Sequence, residues 1–283
     1  MNICIAGASG FIGKSLFNCF VEKGHQLTVI NREDFLNQTI GKKVKNQDVI
    51  INLVGRTIQG RWSKRTRNEI YDSRINTTRM LAEEINYEGK GLRLFINVSA
   101  VGIYDSVHIH DENSTHLEKN FLATVVREWE VQVEAITDPA IRKVVLRLGV
   151  VLGRQGGFFY VLNRFLRFKI GVGIEVSEGF PFIHIDDLKN AVDFIMLNES
   201  VEGIVNVVSP DLISIAEFFE EVNSRSGTWM VFHLKAALLQ FLLGESSALL
   251  TRGQYVVPGK LLGAGFTFCH PTIRDAVKDL VNS

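Results

Sequence analysis

Gly7, Gly10 and Gly13 stand at the spacing G-x-x-G-x-x-G in the run Gly7-Ala8-Ser9-Gly10-Phe11-Ile12-Gly13. Such a run can hold a phosphate with backbone alone. Gly7 permits a tight turn, Gly10 lets the chain approach a pyrophosphate, and Gly13 lets a helix pack close on a strand. The free N–H groups at the helix start, on Phe11, Ile12 and Gly13, then face the phosphates, with Ser9 beside them. Two elements must position this loop. The apolar run Ile3–Ala6 reads as a buried strand, and Lys14–Glu22 continues a helical stripe through Ile12, Leu16, Phe20 and Val21. An ordinary strand-to-helix loop is the alternative; strand, glycine turn and helix in this order favour a dinucleotide cradle.

The end of the second strand, His25–Ile30, bears on the kind of dinucleotide. An acidic residue there would hold a ribose 2′-hydroxyl and indicate NAD. The chain has Asn31-Arg32 instead. Asn31 is neutral, and the Arg32 fork suits a 2′-phosphate, which favours NADP. Glu33 and Asp34 follow at once and could pair with Arg32 instead. Val49–Val54 reads as a central parallel strand, so its carboxyl end, Leu53-Val54-Gly55, is expected against the cofactor. A helix over 64–87 follows, with Ile70, Thr77, Leu81 and Ile85 inward and Arg74 on the same stripe. An inward charge needs a partner: a cofactor phosphate, or an internal pair with Glu69 or Glu84.

Ser99 closes the next strand, Arg93–Ser99, and Tyr104 follows in a loop. Both are candidates to touch the nicotinamide region and the substrate; a turn-forming serine and a packed tyrosine are the alternative. His108, His110 and His116 invite a metal reading, because alternate residues of an extended segment share a side. Their neighbours, Glu112-Asn113-Ser114-Thr115, have the composition of a polar surface loop, and no metal is assigned. His184 reads as a structural hydrogen-bonder, Asp186-Asp187 as the cap of a helix to about Leu197, and Ser214 with Glu217 as a capping box.

With 283 residues, 46% hydrophobic and formally neutral, the chain has ample core and no general attraction to nucleic acid or anionic membranes. Cys4, Cys19 and Cys269 have no paired spacing and read as reduced thiols of a cytoplasmic protein. The expected partner is a small-molecule substrate, and the expected state a monomer or homodimer. Strands alternate with amphipathic helices, which predicts an α/β fold: a Rossmann-type doubly wound parallel sheet over 1–155. A smaller mixed C-terminal lobe, 156–283, is expected to cover the substrate. Strands from 180–208 should return to the sheet, and the terminal segment, about 230–283, should be helical.

Taken together, the glycine run, Asn52-Leu53-Val54-Gly55, Arg61-Trp62, Ser73–Thr78, Ser99–Tyr104, Glu112-Asn113-Ser114, Trp129-Glu130, Gly149–Leu152, Ile183–Leu188, Gly253-Gln254 and Gly265-Phe266 resemble one family. It is the atypical extended short-chain dehydrogenase/reductases, and more narrowly the NADP-binding, nucleoside-diphosphate-sugar-epimerase-like proteins with a C-terminal domain of unknown function. The resemblance spans nearly the whole chain. It implies that Arg32, Leu53, Val54, Glu69, Arg74 and Val150 or Val151 join the glycines as NADP contacts. The wider superfamily pairs Tyr-x-x-x-Lys, the lysine lowering the tyrosine pKa for proton exchange. Here Phe121–Trp129 holds no tyrosine, and no tyrosine has a lysine four residues on. Asp105 replaces a glycine common in relatives, and Asn120 an aspartate. Two readings follow: an NADP-dependent oxidoreductase or epimerase using Tyr104 with Ser99, or a cofactor-binding sensor or scaffold with little chemistry. A phenol without lysine titrates near about 10; Arg127 could supply a positive charge.

Overall fold

A computed structural model describes residues 1–58, 60–174, 178–234 and 253–282. In chain order the elements are β1 (Asn2–Ala6), α1 (Phe11–Glu22), β2 (Gln26–Ile30), α2 (Arg32–Leu36), α3 (Ile40–Val44), β3 (Val49–Asn52) and α4 (Lys64–Glu88). Then come β4 (Leu94–Ala100), a short 3-10 turn, β5 (Ile109–His110), α5 (Phe121–Glu134), β6 (Arg142–Leu148), β7 (Val150–Leu152), α6 (Gly157–Leu166) and β8 (Ile170–Ile174). The last are β9 (Phe182–His184), α7 (Ile185–Leu197), β10 (Gly203–Val207), α8 (Ile215–Ser226), β11 (Met230–Leu234), β12 (Tyr255–Val256), α9 (Gly259–Gly263) and α10 (Ile273–Asn282).

Six parallel strands form the central sheet in the order β10-β6-β4-β3-β1-β2. The apolar runs are continuous because both faces are covered. On β1, Ile3 and Ile5 pack under α1 and α7, while Cys4 and Ala6 pack under α3 and α4. β3 and β4 alternate the same way, with Val49, Ile51, Leu94 and Ile96 on one face and Ile50 and Phe95 on the other. From β1 the chain steps out to β2 at the edge, then returns across β1 to β3. That reversal makes the carboxyl ends of β1 and β3 the switch point of the sheet, where ligands lie in this architecture. The register aligns Ala6 with both Ile30 and Asn52. The loops after β1, β2 and β3 therefore open side by side.

β7, α6, β8, β9, α8 and α10 gather around a second, aromatic core that includes Phe159, Phe180, Phe182, Phe218 and Phe219. β10 pairs with β6 in the main sheet, whereas β9 pairs only with β7. Met230–Leu234, expected to be helical, is a strand paired with β8, and Tyr255–Val256 pairs with β5. Exposed Val231 and Phe232 carry the strand-favouring side chains that explain the first case. The rest of the expected helical stretch between 235 and 252 lies outside the described residues. α7 is capped by His184, whose ring accepts the Asp186 N–H, rather than by Asp186-Asp187. Asp187 instead ties down the chain near 269, accepting the N–H groups of Cys269 at 2.6 Å and His270 at 2.9 Å. Among the described residues no helix is long and apolar enough to cross a membrane.

Candidate functional site

The glycine loop is built as its spacing requires. Gly7 has φ +85°, a conformation L side chains rarely adopt, and a Cβ there would meet the Leu53 carbonyl at 3.0 Å. A Cβ on Gly13 would collide with the Gly7 oxygen and lie 2.7 Å from the Ala8 Cα. Gly10 differs: a Cβ there would meet only the Gly7 oxygen, at 3.6 Å, so the space above it is open. No side chain caps α1, and the N–H groups of Phe11, Ile12 and Gly13 find no acceptor among the described residues. Ser9 is exposed at the rim. The side chains of Phe11 and Ile12 face protein. Ile12 packs on the main core, and the Phe11 ring lies in a socket formed by Gly153, Gly156 and Gly157. That socket draws the β7–α6 loop over the cradle, and Val150 and Val151, both half-buried, lead into it.

At the end of β2, Asn31 caps α2 and its N–H donates to Asp34 at 2.6 Å. Asp34 also accepts from Lys43 at 2.7 Å. Of the two acids that could have neutralised Arg32, Asp34 is thus engaged, and Glu33 forms no ion pair with Arg32 among the described residues. Arg32 is exposed and makes no ion pair or hydrogen bond among the described residues. At the end of β3, the Leu53 N–H donates to Ala6 and the Val54 N–H to the Asn52 side chain. Gly55 has no side chain to hold off Arg74, whose guanidinium carbon would lie 3.2 Å from a Cβ there.

Arg74 is held by carbonyls alone. Nη1 donates to Ile70 O at 3.1 Å and Nη2 to Arg56 O at 3.0 Å, with the Trp129 ring 5.3 Å from the guanidinium. Burial pushes its pKa down to about 10. The internal pair with Glu69 or Glu84 is not formed: Glu69 pairs with Arg56 and Arg65, and Glu84 lies beside Gly41. Arg74 is therefore a largely desolvated cation without a counter-anion among the described residues, beside the loop that approaches phosphates.

Ser99 and Tyr104 are both buried. Tyr104 is 0% exposed. Its hydroxyl donates to Asn206 at 2.9 Å and accepts from Arg147 at 2.8 Å, and its ring stacks on His110. Ser99 points toward α5 and donates to Glu130 at 2.6 Å. Glu130 also takes two hydrogen bonds from Arg147, at 2.9 and 2.7 Å. Burial raises the Tyr104 pKa against the opposing pull of Arg147. The two hydroxyls expected to serve as proton donor and partner are thus buried and already bonded within the interior. Arg127 does not approach Tyr104 in hydrogen bonding; it donates to Glu118 O and Thr124.

The family model described as NAD dependent epimerase/dehydratase matches residues 3–208, which is the sheet, the cradle and the loops above them. The chain belongs to that epimerase/dehydratase family. Residues 236–280 match the domain of unknown function DUF1731. The Bos taurus epimerase family protein SDR39U1 is 30% identical over 296 residues, covering 99% of this chain and 100% of its own. The Bacillus subtilis epimerase family protein YfhF is 27% identical, covering 99% of this chain and 98% of its own. The crystal structure of human SDR39U1, isoform 2, with NADPH superposes at a TM-score of 0.92 and 27% identity, covering 100% of both chains.

In this epimerase-family chain, sequence reasoning missed Arg147 and Glu130 as partners. A signal was present: Arg147 interrupts the apolar run Val144–Leu148, and a charge in a buried strand must be answered from elsewhere. It also missed the buried chain Asn97–Asn52–Thr78–Trp129, linked at 2.7–2.8 Å, which braces β3 and β4 against α4 and α5 under the cleft.

Proposed function

We propose that the chain binds NADP(H) along the carboxyl edge of β1, β2 and β3. The observation that carries this is Arg32, left without an anionic partner beside an intact cradle because Asp34 is committed to Asn31 and Lys43. In this reading Gly7, Ser9, Gly10, Phe11, Ile12 and Gly13 wrap the pyrophosphate, mainly through backbone. Asn31 and Arg32 meet the adenosine ribose and its 2′-phosphate. Leu53, Val54 and Gly55 form the floor, and Arg74 supplies a buried positive charge to a phosphate. Val150 and Val151 line the far wall. Glu69 acts through its arginines, holding Arg56 where the Arg56 carbonyl can orient Arg74. The nicotinamide, when bound, supplies the capacity for hydride transfer. The residues of the chain bind and orient it and keep water from the phosphates.

The test is a titration of NADPH and NADH into the parent chain and Arg32→Ala. A charge-assisted contact is worth about 1.5–3 kcal/mol, or about tenfold to a hundredfold in affinity. The parent should prefer NADPH by that margin, and Arg32→Ala should lose the preference while keeping NADH binding. Equal affinities in the parent would dismiss the assignment.

A second reading, cofactor binding with little turnover, has its own observation: Tyr104 and Ser99 are committed to Arg147, Asn206 and Glu130, and α5 carries no Tyr-x-x-x-Lys pair. The oxidoreductase or epimerase reading therefore needs a proton donor other than Tyr104. NADPH oxidation across a panel of carbonyl compounds separates the two. The three cysteines are free, which suits a reducing compartment such as the cytoplasm.

A further inference from the structure

The loop between β4 and α5 leaves the carboxyl edge of the sheet and closes on itself. Tyr104 and Leu117 form an antiparallel bridge; the Asp105 N–H donates to His116 O at 3.2 Å and the Glu118 N–H to Ile103 O at 2.9 Å. The far end of the loop is fastened too, since β5 pairs with β12 and the Val257 N–H donates to His110 O. His108 and His110 do not share a side as the extended reading supposed. His110 turns inward, 0% exposed, while His108 stays outside. There its ring stacks on His116, centroids 4.1 Å apart and 22° from parallel.

We propose that Asp105, His108 and His116 form a binding site for a divalent transition-metal ion of the zinc class. One nitrogen from each imidazole and one oxygen of Asp105 lie within 4.8 Å of one another. In a tetrahedral site with bonds of about 2.0–2.1 Å, donor atoms lie about 3.4 Å apart. Two exposed rings can close that gap by side-chain rotation while the backbone stays pinned. The Asp105 carboxylate is already oriented. Oδ1 accepts the Val107 N–H at 3.0 Å, the His108 N–H at 3.1 Å and His110 Nε2 at 3.2 Å, and Oδ2 faces His108 Nδ1 at 2.9 Å.

His110 behaves as a supporting residue. Its Nδ1 accepts from Ser114 at 2.7 Å, which leaves Nε2–H to donate to Asp105. Partners of this kind fix the orientation of a ligand in metal sites. The His116 ring makes no hydrogen bond, and no lysine or arginine pairs with Asp105, among the described residues. Two imidazoles and a carboxylate suit zinc, cobalt, nickel or copper, and three protein ligands leave a position for water or another oxygen ligand. The second histidine cluster, His184, His270 and Asp279, lacks this vacancy of charge. Arg154 already donates to Asp279, and His184 Nδ1 already accepts the Asp186 N–H.

The experiment titrates Co²⁺, followed by its visible absorption, and Zn²⁺ by competition, into the metal-free full chain. The comparison set is His108→Ala, His116→Ala, the double variant and His270→Ala. One ion per chain is expected, with affinity falling at least about tenfold in each single loop variant, as loss of a metal-site partner gives. His270→Ala should bind as the parent does. Both loop rings are exposed, and an unchanged far-ultraviolet spectrum would show that the variants fold. Three results overturn the site: no saturable binding below about millimolar, where only about 4 kcal/mol of affinity remains; parental binding in the double variant; or loss of binding only in His270→Ala.

Discussion

Arg147 enters the interior from the middle of β6 and is met by Glu130 through two hydrogen bonds, with Tyr104 taking its remaining nitrogen. Arg74 enters from α4 and is met by two backbone carbonyls and the face of Trp129. Burial acts downward on both guanidinium groups. For Arg147, Glu130 outweighs it and the pKa ends above the ordinary value; for Arg74 nothing does, and it falls to about 10. The first arginine is closed within the fold. The second has no counter-anion among the described residues, and it lies beside Gly55 at the switch point of the sheet. Burial is common to both; the carboxylate is what separates them.

The strongest test of this difference is Arg147→Met. It strands Glu130, only 13% exposed, without its cation. Breaking one side of a buried pair costs about 3–5 kcal/mol. The urea midpoint should fall accordingly, and the double change Arg147→Met with Glu130→Leu should recover much of the loss. A single-variant cost under about 1 kcal/mol, the level of an exposed pair, would show that Glu130 is not dependent on Arg147.

Arg74→Met should behave in the opposite sense. No carboxylate is stranded, so the midpoint of the free protein should shift by no more than about 1 kcal/mol, an ordinary substitution effect. NADPH affinity should fall about tenfold to a hundredfold, the worth of a charged hydrogen bond. A large stability loss with affinity intact would mean that Arg74 is structural and that the contrast with Arg147 is false.

What could be read from the chain beforehand follows the same division. The glycine turn and the parallel α/β sheet depend on residues close in sequence, where glycine spacing and apolar period are direct consequences of backbone geometry. Whether Arg32 pairs with its acidic neighbours, by contrast, stayed open until Asp34 was seen bonded to Asn31 and Lys43. Partners supplied from afar were not legible. Tyr104 reaches Asn206 across 102 positions, and no local pattern announces it. The same holds for β5, two residues long, whose pairing partner is Tyr255–Val256. Asp105 and His116 meet because a bridge closes their loop, not because of their spacing. A serine and tyrosine after a strand resembled a reacting pair because residue type and order were visible while the burying layer was not.

Tyr104→Phe gives a smaller effect. It removes a hydroxyl that satisfies both Arg147 and Asn206, at a cost of about 1–2 kcal/mol. NADPH affinity and any turnover found in a carbonyl screen should be unchanged. Turnover lost with stability intact would return Tyr104 to the mechanism and break the assignment of its network to structure.

His184 shows how a group that can shed its proton escapes the position Arg74 is in. It is 1% exposed at the start of α7, and its Nδ1 accepts the Asp186 N–H, which requires an unprotonated nitrogen. Burial and then the His270 ring, stacked 3.9 Å away, push its pKa below the ordinary value, while Asp186 and Asp279 pull weakly the other way. A histidine depressed in the folded state binds its proton more readily when unfolded, so the unfolded form gains as pH falls. The contribution is complete above the unfolded pKa of about 6.5 and is lost progressively below it. Urea midpoints taken from about pH 7.5 to about pH 5.5 should therefore decline toward acid. His184→Asn keeps an acceptor for the Asp186 N–H and cannot take up a proton, so its decline should be shallower. His25 and His110 are also held down by burial and account for a remainder. If parent and variant decline with the same slope, His184 keeps its proton, and Arg74 loses its counterpart.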